Sequence, residues 1–137
     1  MWWIFALLSA FFAALTALFA KKGLHGVNSD LATAIRTIII LIISWSIVFF
    51  KGNFKSINEL TQQNWIFLVL SGIATGLSWL FYFRALQLGE MGKVAVVDKL
   101  SLALTIILAF VFLGEPMTWK TIIGGGLVVA GSLVLIL

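Results

Sequence analysis

SWLFYFRALQLGEMGKVAVVDKLSLALTIILAFVF, residues 78–112, is the stretch that decides the fold of this chain. It holds parts of two membrane-length apolar runs, with Arg84 near the end of the first and Asp98 and Lys99 inside the second. A charged side chain in hydrocarbon costs about 2.5–3.5 kcal/mol, so such residues usually face a protein interior or a water-filled cavity. We therefore expect this hairpin to line a path through a membrane.

The composition of the whole chain is strongly apolar. The 137 residues are 62% hydrophobic and 10% charged, with a mean hydropathy of +1.16, which is typical of a membrane protein with little mass outside the bilayer. The chain has no cysteine, which excludes disulfides and thiolate chemistry. The net charge of +4 comes from basic residues near the ends of apolar runs, with no basic face for nucleic acid.

Apolar runs of about 20 residues, enough to cross a hydrocarbon core of about 30 Å, recur along the whole chain. They predict one all-α domain over residues 1–137, an integral membrane bundle of transmembrane helices. Ser29 or Asp30 is the expected N-cap of the second span, and the polar segment 51–64 could hold a short surface helix. The predicted spans are 2–20, 31–50, 65–86, 94–113 and 119–137.

Small and hydroxyl residues gather on one face of each of the first four spans at helical spacing. Two interpretations remain open: tight helix packing alone, or packing together with a polar lining for a solute. The pair Gly72 and Gly76, and the run Gly124, Gly125 and Gly126 with Gly131, indicate close helix contact. The stripes are Ser9, Ala13 and Thr16; Thr33, Thr37 and Ser44; Ser71, Thr75, Ser78 and Tyr82; and Asp98, Ser101 and Thr105.

The charges inside the spans share one depth. Arg36 and Asp98 lie at the sixth and fifth positions of their runs, roughly 7–9 Å inside the same interface at 1.5 Å per residue. Arg84 and Lys99 lie at a similar depth, where their long stems can reach the headgroups. The carboxylate of Asp98 has a short stem, so we expect it to pair with a buried cation. For Arg36, a structural pair and a substrate-facing pair are both open.

We expect no enzyme and no cofactor, because no catalytic triad, metal-ligand cluster or phosphate loop is present and His25 is the one histidine. The residues expected to line a substrate path are the intramembrane charges and the hydroxyls nearest to them. They are Arg36, Asp98, Lys99, Arg84, Tyr82, Ser78, Thr75, Ser101 and Thr105.

Several motifs in fixed order give the chain a family resemblance. They are Arg36 early in the second span, YFRAL at 82–86, VDKLS at 97–101, FLGEPMT at 112–118, and the Ile123-Gly124 and Ala130-Gly131 pairs. Together they resemble a single EamA-type repeat of the drug/metabolite transporter superfamily. The resemblance implies an architecture of two such five-helix units in tandem, as in familiar members of that family. The two units are inverted relative to each other around a central cavity that opens alternately to each side. The resemblance implies that this single unit forms a homodimer, or a heterodimer with a similar five-helix chain.

The resulting hypothesis is a multipass carrier in the bacterial inner membrane that exports a small metabolite by alternating access. Three cations against one anion at the shared depth suit an anionic solute. One alternative is an accessory or structural membrane subunit that moves nothing itself. Another is a proton-coupled cation exporter similar to the small multidrug resistance proteins, which rely on a glutamate in the first span; residues 2–20 contain no acid.

Overall fold

The computed structural model describes residues 1–137, of which 86% are helical and none is in a strand. Five helical segments are long and apolar enough to cross a membrane, which confirms the all-α class and the multipass membrane architecture. The fourth of these segments consists of two consecutive helices. The elements are α1 Trp2–Gly23, α2 Ser29–Phe50, a 3₁₀ helix Asn53–Glu59, α3 Gln62–Leu88, α4 Met91–Asp98, α5 Leu100–Leu113 and α6 Trp119–Ile136.

The helices extend beyond the apolar runs that predicted them. Helix α1 ends at Gly23 and α3 begins at Gln62, because backbone hydrogen bonding continues into polar residues at the membrane surface. The predicted N-cap of α2 was wrong by one or two residues. Asn28 is the cap: its Oδ1 accepts hydrogen bonds from the backbone N–H of Asp30 at 2.8 Å and of Leu31 at 3.2 Å.

The fourth span is interrupted at Lys99, whereas the sequence predicted one continuous helix. The Lys99 N–H bonds to the Val96 carbonyl at 3.0 Å, and the Leu102 N–H bonds to the Lys99 carbonyl at 2.9 Å. Both bonds close tight three-residue turns, which are typical of a local break in an α-helix. The Ser132 hydroxyl on α6 also reaches the Val96 carbonyl, at 3.2 Å. A side chain that bonds into the helical ladder is a recognised cause of such breaks.

The surface helix expected in the polar segment is present as the 3₁₀ helix Asn53–Glu59. It follows Gly52, whose φ of 68° is a left-handed conformation that glycine adopts without strain. Phe54 attaches this helix to the end of α2, with its ring centroid 5.3 Å from that of Phe49 and 6.1 Å from that of Trp45. The 3₁₀ helix therefore packs beside the last turns of α2.

Contacts within the chain divide it into two compact units. The first contains Met1–Leu18 and Leu88–Leu137, and in it α4 and α5 pack against α6. The second contains Phe19–Gln87. The buried residues of the second unit lie near the start of α2 and the end of α3, and they are Leu24, Ser29, Thr33, Phe83 and Leu86.

The membrane spans bury few of their own side chains. Neither α4 nor α5 has a buried residue, α1 has Ala17 alone, and α6 has Ser132 alone. Apolar side chains along all five spans are therefore available to lipid or to another protein chain.

Candidate substrate site

Arg36 is held against two aromatic rings in the second unit. Its guanidinium carbon lies 3.5 Å from the centroid of the Trp79 ring and 5.2 Å from that of Phe83. Both distances fall within the range of cation–π attraction, which is strongest for tryptophan. The interaction joins α2 to α3 through side chains and places the positive charge above an aromatic face.

The local structure of α2 directs Arg36 toward the interior of this unit. Ser29 and Thr33 are both buried, and the Thr33 hydroxyl donates to the Ser29 carbonyl at 2.9 Å. Residues four and seven positions apart share a helix face, so Arg36 continues the buried face of Ser29 and Thr33. The Asn28 cap fixes where this face begins.

The aromatic side of the contact is built from one stretch of α3. Trp79 and Phe83 are four residues apart and share a face, with ring centroids 5.7 Å apart. Tyr82 meets Trp79 edge-on, at 5.6 Å and an interplanar angle of 84°. Phe83 is only 2% exposed, so it provides a fixed support for the Trp79 ring that carries Arg36.

Arg36 has no acidic partner. The Lys93 Nζ forms an exposed ion pair with the Glu90 Oε2 at 3.5 Å, whereas no acid pairs with Arg36. The guanidinium of Arg36 also donates no hydrogen bond to any protein acceptor. Its stacked face is covered by Trp79, while the N–H groups at its edge have no acceptor within the chain.

Other polar contacts hold the end of α3 close to the first loop. The Lys21 ammonium donates to the Leu86 carbonyl, and the Gln87 side-chain amide donates to the Val27 carbonyl at 2.7 Å. Arg84 is exposed and donates to the Gln87 Oε1 at 3.3 Å. Arg84 is therefore directed to a neighbouring amide on its own helix, away from the Arg36 contact.

The ion pair expected for Asp98 is not formed. Asp98 is the last residue of α4, and both it and the following Lys99 are exposed. The break at Lys99 leaves Asp98 on α4, whereas Ser101 and Thr105 of the same predicted stripe lie on α5. Their part in a solute path stays a prediction.

The serines and threonines of the stripes on α3 and α5 are exposed, and two of them donate to a carbonyl of their own helix. Thr75 donates to the Ser71 carbonyl and Thr105 donates to the Ser101 carbonyl, each at 2.8 Å. Ser78 is exposed on α3. A hydroxyl bonded to its own helix tolerates lipid and still offers lone pairs to a solute, so these contacts agree with both interpretations of the stripes.

Most of the glycines expected to pack helices together lie open within this chain. A Cβ atom added at Gly72, Gly76, Gly124 or Gly131 would meet nothing within 4 Å. The glycine that does pack is Gly125, where an added Cβ would lie 3.0 Å from the Ile106 Cδ1 on α5. Close contacts at the glycines that lie open stay a prediction about an assembled protein.

Sequence reasoning missed Trp79 and Phe83, although a signal was available. Arg36 lies about 10 Å along α2 from its start, and Trp79 lies about 13 Å from the end of α3, at 1.5 Å per residue. The start of α2 and the end of α3 meet near the first loop. Arg36 and Trp79 therefore lie at similar depths in their two spans. Ser132, which is 1% exposed and bonds to α4, was also missed because an isolated serine in an apolar run has no pattern.

Comparison with known proteins agrees with this architecture. The sequence profile of the EamA-like transporter family matches residues 1–137. The chain belongs to the EamA-like transporter family. This confirms the resemblance drawn from the motifs.

Two proteins named as uncharacterized transporters are similar in sequence to this chain and differ in how much of their own length it covers. A protein of Sinorhizobium sp. named an uncharacterized transporter in the cobO 3′ region is 48% identical over 134 residues, which cover 98% of this chain and 95% of the relative. The uncharacterized transporter YxxF of Bacillus subtilis strain 168 is 31% identical over 121 residues, which cover 87% of this chain but only 37% of YxxF. The chain therefore spans little more than a third of YxxF. No solved structure matches the chain.

Proposed function

We propose that this EamA-like membrane transporter works as a dimer, in which two five-helix units enclose a cavity that exports a small metabolite. The observation that carries the proposal is the exposure of Asp98 and Lys99 along apolar spans that bury almost none of their own residues. The hydroxyl residues Ser78, Ser101 and Thr105 are exposed on the same spans. Charges left in lipid would cost several kcal/mol, so a second chain and a water-filled cavity are their natural surroundings.

The bacterial inner membrane is the proposed location, because both relatives come from bacteria and all five spans are helical. The greater length of YxxF supports an assembly of more than one unit, since that chain has room for two. Alternating access then requires two states that close different helix pairs, and a solute shifts them only by binding them differently.

Transport by purified protein in proteoliposomes tests the proposal. We expect accumulation of a labelled solute in vesicles, and a loss of at least tenfold in rate on Arg36→Ala or Asp98→Ala with the protein still inserted and monodisperse. Glu59→Ala, outside the spans, is the matched control and should retain the wild-type rate. Unchanged transport by both site variants would remove these residues from the path.

Oligomeric state is measured on the same preparation. Crosslinking in native membranes should yield a species of two chains, and reaction between matched positions should distinguish parallel from antiparallel pairing. A monodisperse monomer in a mild bilayer mimic that still transports would overturn the dimeric arrangement.

A further inference from the structure

We infer that Arg36, stacked on Trp79, binds the acidic group of the transported solute, which makes the carrier selective for small carboxylates. This inference rests on the proposed transport function, and it names the chemical class of the solute. It is carried by the guanidinium that lies half-buried among aromatic rings in an apolar span with no counter-ion.

The stacking leaves the recognition edge of Arg36 available. A guanidinium is planar, and its N–H groups point outward in the plane while its faces stack on aromatic rings. With Trp79 at 3.5 Å covering one face, the in-plane N–H groups keep their geometry for a carboxylate. Two parallel N–H···O bonds to one carboxylate are the strongest and most directional contact that this side chain makes.

The charges of the second unit favour an anion at this position. Of its acids, Asp30 lies in the first turn of α2 and Glu59 in the 3₁₀ helix, and neither forms an ion pair with Arg36. The basic residues at the same end of this unit are Lys21, Lys22 and Arg84. Because a cation in an apolar span is costly without a partner, an arriving carboxylate gains from neutralising it.

The aromatic support prepares Arg36 before the solute arrives. Phe83 is buried and lies 5.7 Å from Trp79, so the ring beneath the guanidinium is held by packing. A binding group that is already ordered loses little entropy when its ligand binds. Trp79 is therefore a positioning residue for Arg36. The single charge of Arg36 neutralises one carboxylate, whereas a phosphate dianion paired with Arg36 alone would keep an uncompensated negative charge in the apolar span.

Ligand-induced stabilisation of the full chain in lipid nanodiscs tests the inference. The probes are benzoate and hexanoate, their neutral amides benzamide and hexanamide, and inorganic phosphate. We expect the acids to raise the thermal unfolding midpoint of the protein, because a ligand that binds only the folded state stabilises it. The amides and phosphate should leave the midpoint unchanged.

Variants separate recognition from structure. Arg36→Gln should abolish the acid-induced shift, and Arg36→Lys and Trp79→Leu should each raise the apparent Kd for the acids at least tenfold. Lys55→Gln, which removes an exposed cation of the 3₁₀ helix in the same unit, is the control and should bind as wild type. A purely structural role would lower the ligand-free midpoint of the Arg36 and Trp79 variants while leaving the acid-induced shift intact, which would overturn the inference.

Three further results would also overturn it: no shift with either acid, equal shifts with acids and amides, or a shift with phosphate alone. Transport assays keep this inference distinct from the proposed function. If the protein transports a neutral solute and binds no acid, the carboxylate site is overturned and the proposed transport function is retained. If acids bind through Arg36 but no solute is transported, the carboxylate site is supported and the proposed transport function is overturned.

Discussion

Ser132 illustrates how one polar side chain holds an apolar bundle together. It is 1% exposed on α6, and its hydroxyl oxygen lies 2.8 Å from the Val128 carbonyl oxygen and 3.2 Å from that of Val96 on α4. The single O–H is shared between a carbonyl of its own helix and one near the break in the fourth span. The hydrophobic effect does not drive helices together in lipid, so helix association there depends on close packing and on interhelical hydrogen bonds such as this one.

Replacing Ser132 with alanine should destabilise the protein by about 1 kcal/mol, the usual net value of one hydrogen bond. The thermal unfolding midpoint in detergent, followed by far-UV circular dichroism, measures the change. Ser46→Ala is the matched control, because the Ser46 hydroxyl donates only to the Ile42 carbonyl of its own helix. Equal midpoints for the two variants would show that the contact between α6 and α4 contributes nothing.

At the scale of whole elements, caps and small residues decide where helices begin and how closely they approach. The side chain of Asn28 caps α2, and that of Thr118 caps α6 by accepting from the Thr121 N–H at 3.2 Å. Gly125 allows α6 to approach Ile106 on α5. The cap and the close approach act on separate elements, so their contributions can be measured independently.

Asn28→Ala should cost about 1 kcal/mol, because two backbone N–H groups in the first turn of α2 lose their acceptor. The variant should show a lower unfolding midpoint, and Asn28→Ser or Asn28→Asp should recover most of the loss. Asn53→Ala, a change in the neighbouring 3₁₀ helix that removes no side-chain cap bond, serves as the control. A midpoint for Asn28→Ala equal to that of the control would exclude the capping role.

Gly125→Val should lower stability by about 1–3 kcal/mol, the usual cost of forcing extra carbon into a packed contact. The added atoms meet the Ile106 side chain and push α5 from α6. At Gly126 a new Cβ meets nothing within 4 Å, so Gly126→Val is the matched control and should be close to neutral. The pair is compared by unfolding midpoint, and the reverse ranking would contradict the α5–α6 contact described above.

At the scale of the whole molecule, the chain is a set of membrane spans with few internal partners. The fourth span has no buried residue, although it carries Asp98, Ser101 and Thr105. Helices that pack together in lipid bury small and polar residues against each other, so this surface is suited to a further chain or a watery cavity. The absence of cysteine makes single-cysteine labelling of this surface direct.

Cysteines placed at Ser78, Ser101 and Thr105 should react with a water-soluble, membrane-impermeant maleimide in native membranes. Leu104→Cys is the control: Leu104 is 62% exposed in the chain, one position from Thr105, and should be shielded by lipid. We expect the three stripe positions to label at least five times faster than position 104. Labelling as slow as the control would place the stripes against acyl chains and exclude a water-filled path.

Much of the fold could be predicted because each apolar run has to satisfy its backbone polar groups internally in lipid, which only a helix can do within one segment. The boundaries were harder. Helix α1 continues through Lys21 and Lys22, since hydrogen bonding within a helix does not stop where hydropathy does. The break at Lys99 could not be predicted, because it involves a carbonyl on α4 and a hydroxyl on α6 that are 36 residues apart.

By itself the sequence determined the membrane environment, the five spans, the family and the presence of Arg36 inside an apolar run, because hydropathy and motif order are local properties of the chain. Only the tertiary structure decided what Arg36 contacts. Its partner is an aromatic pair on α3 in place of the expected acid, and side chains more than 40 residues apart meet only when two helices fold against each other.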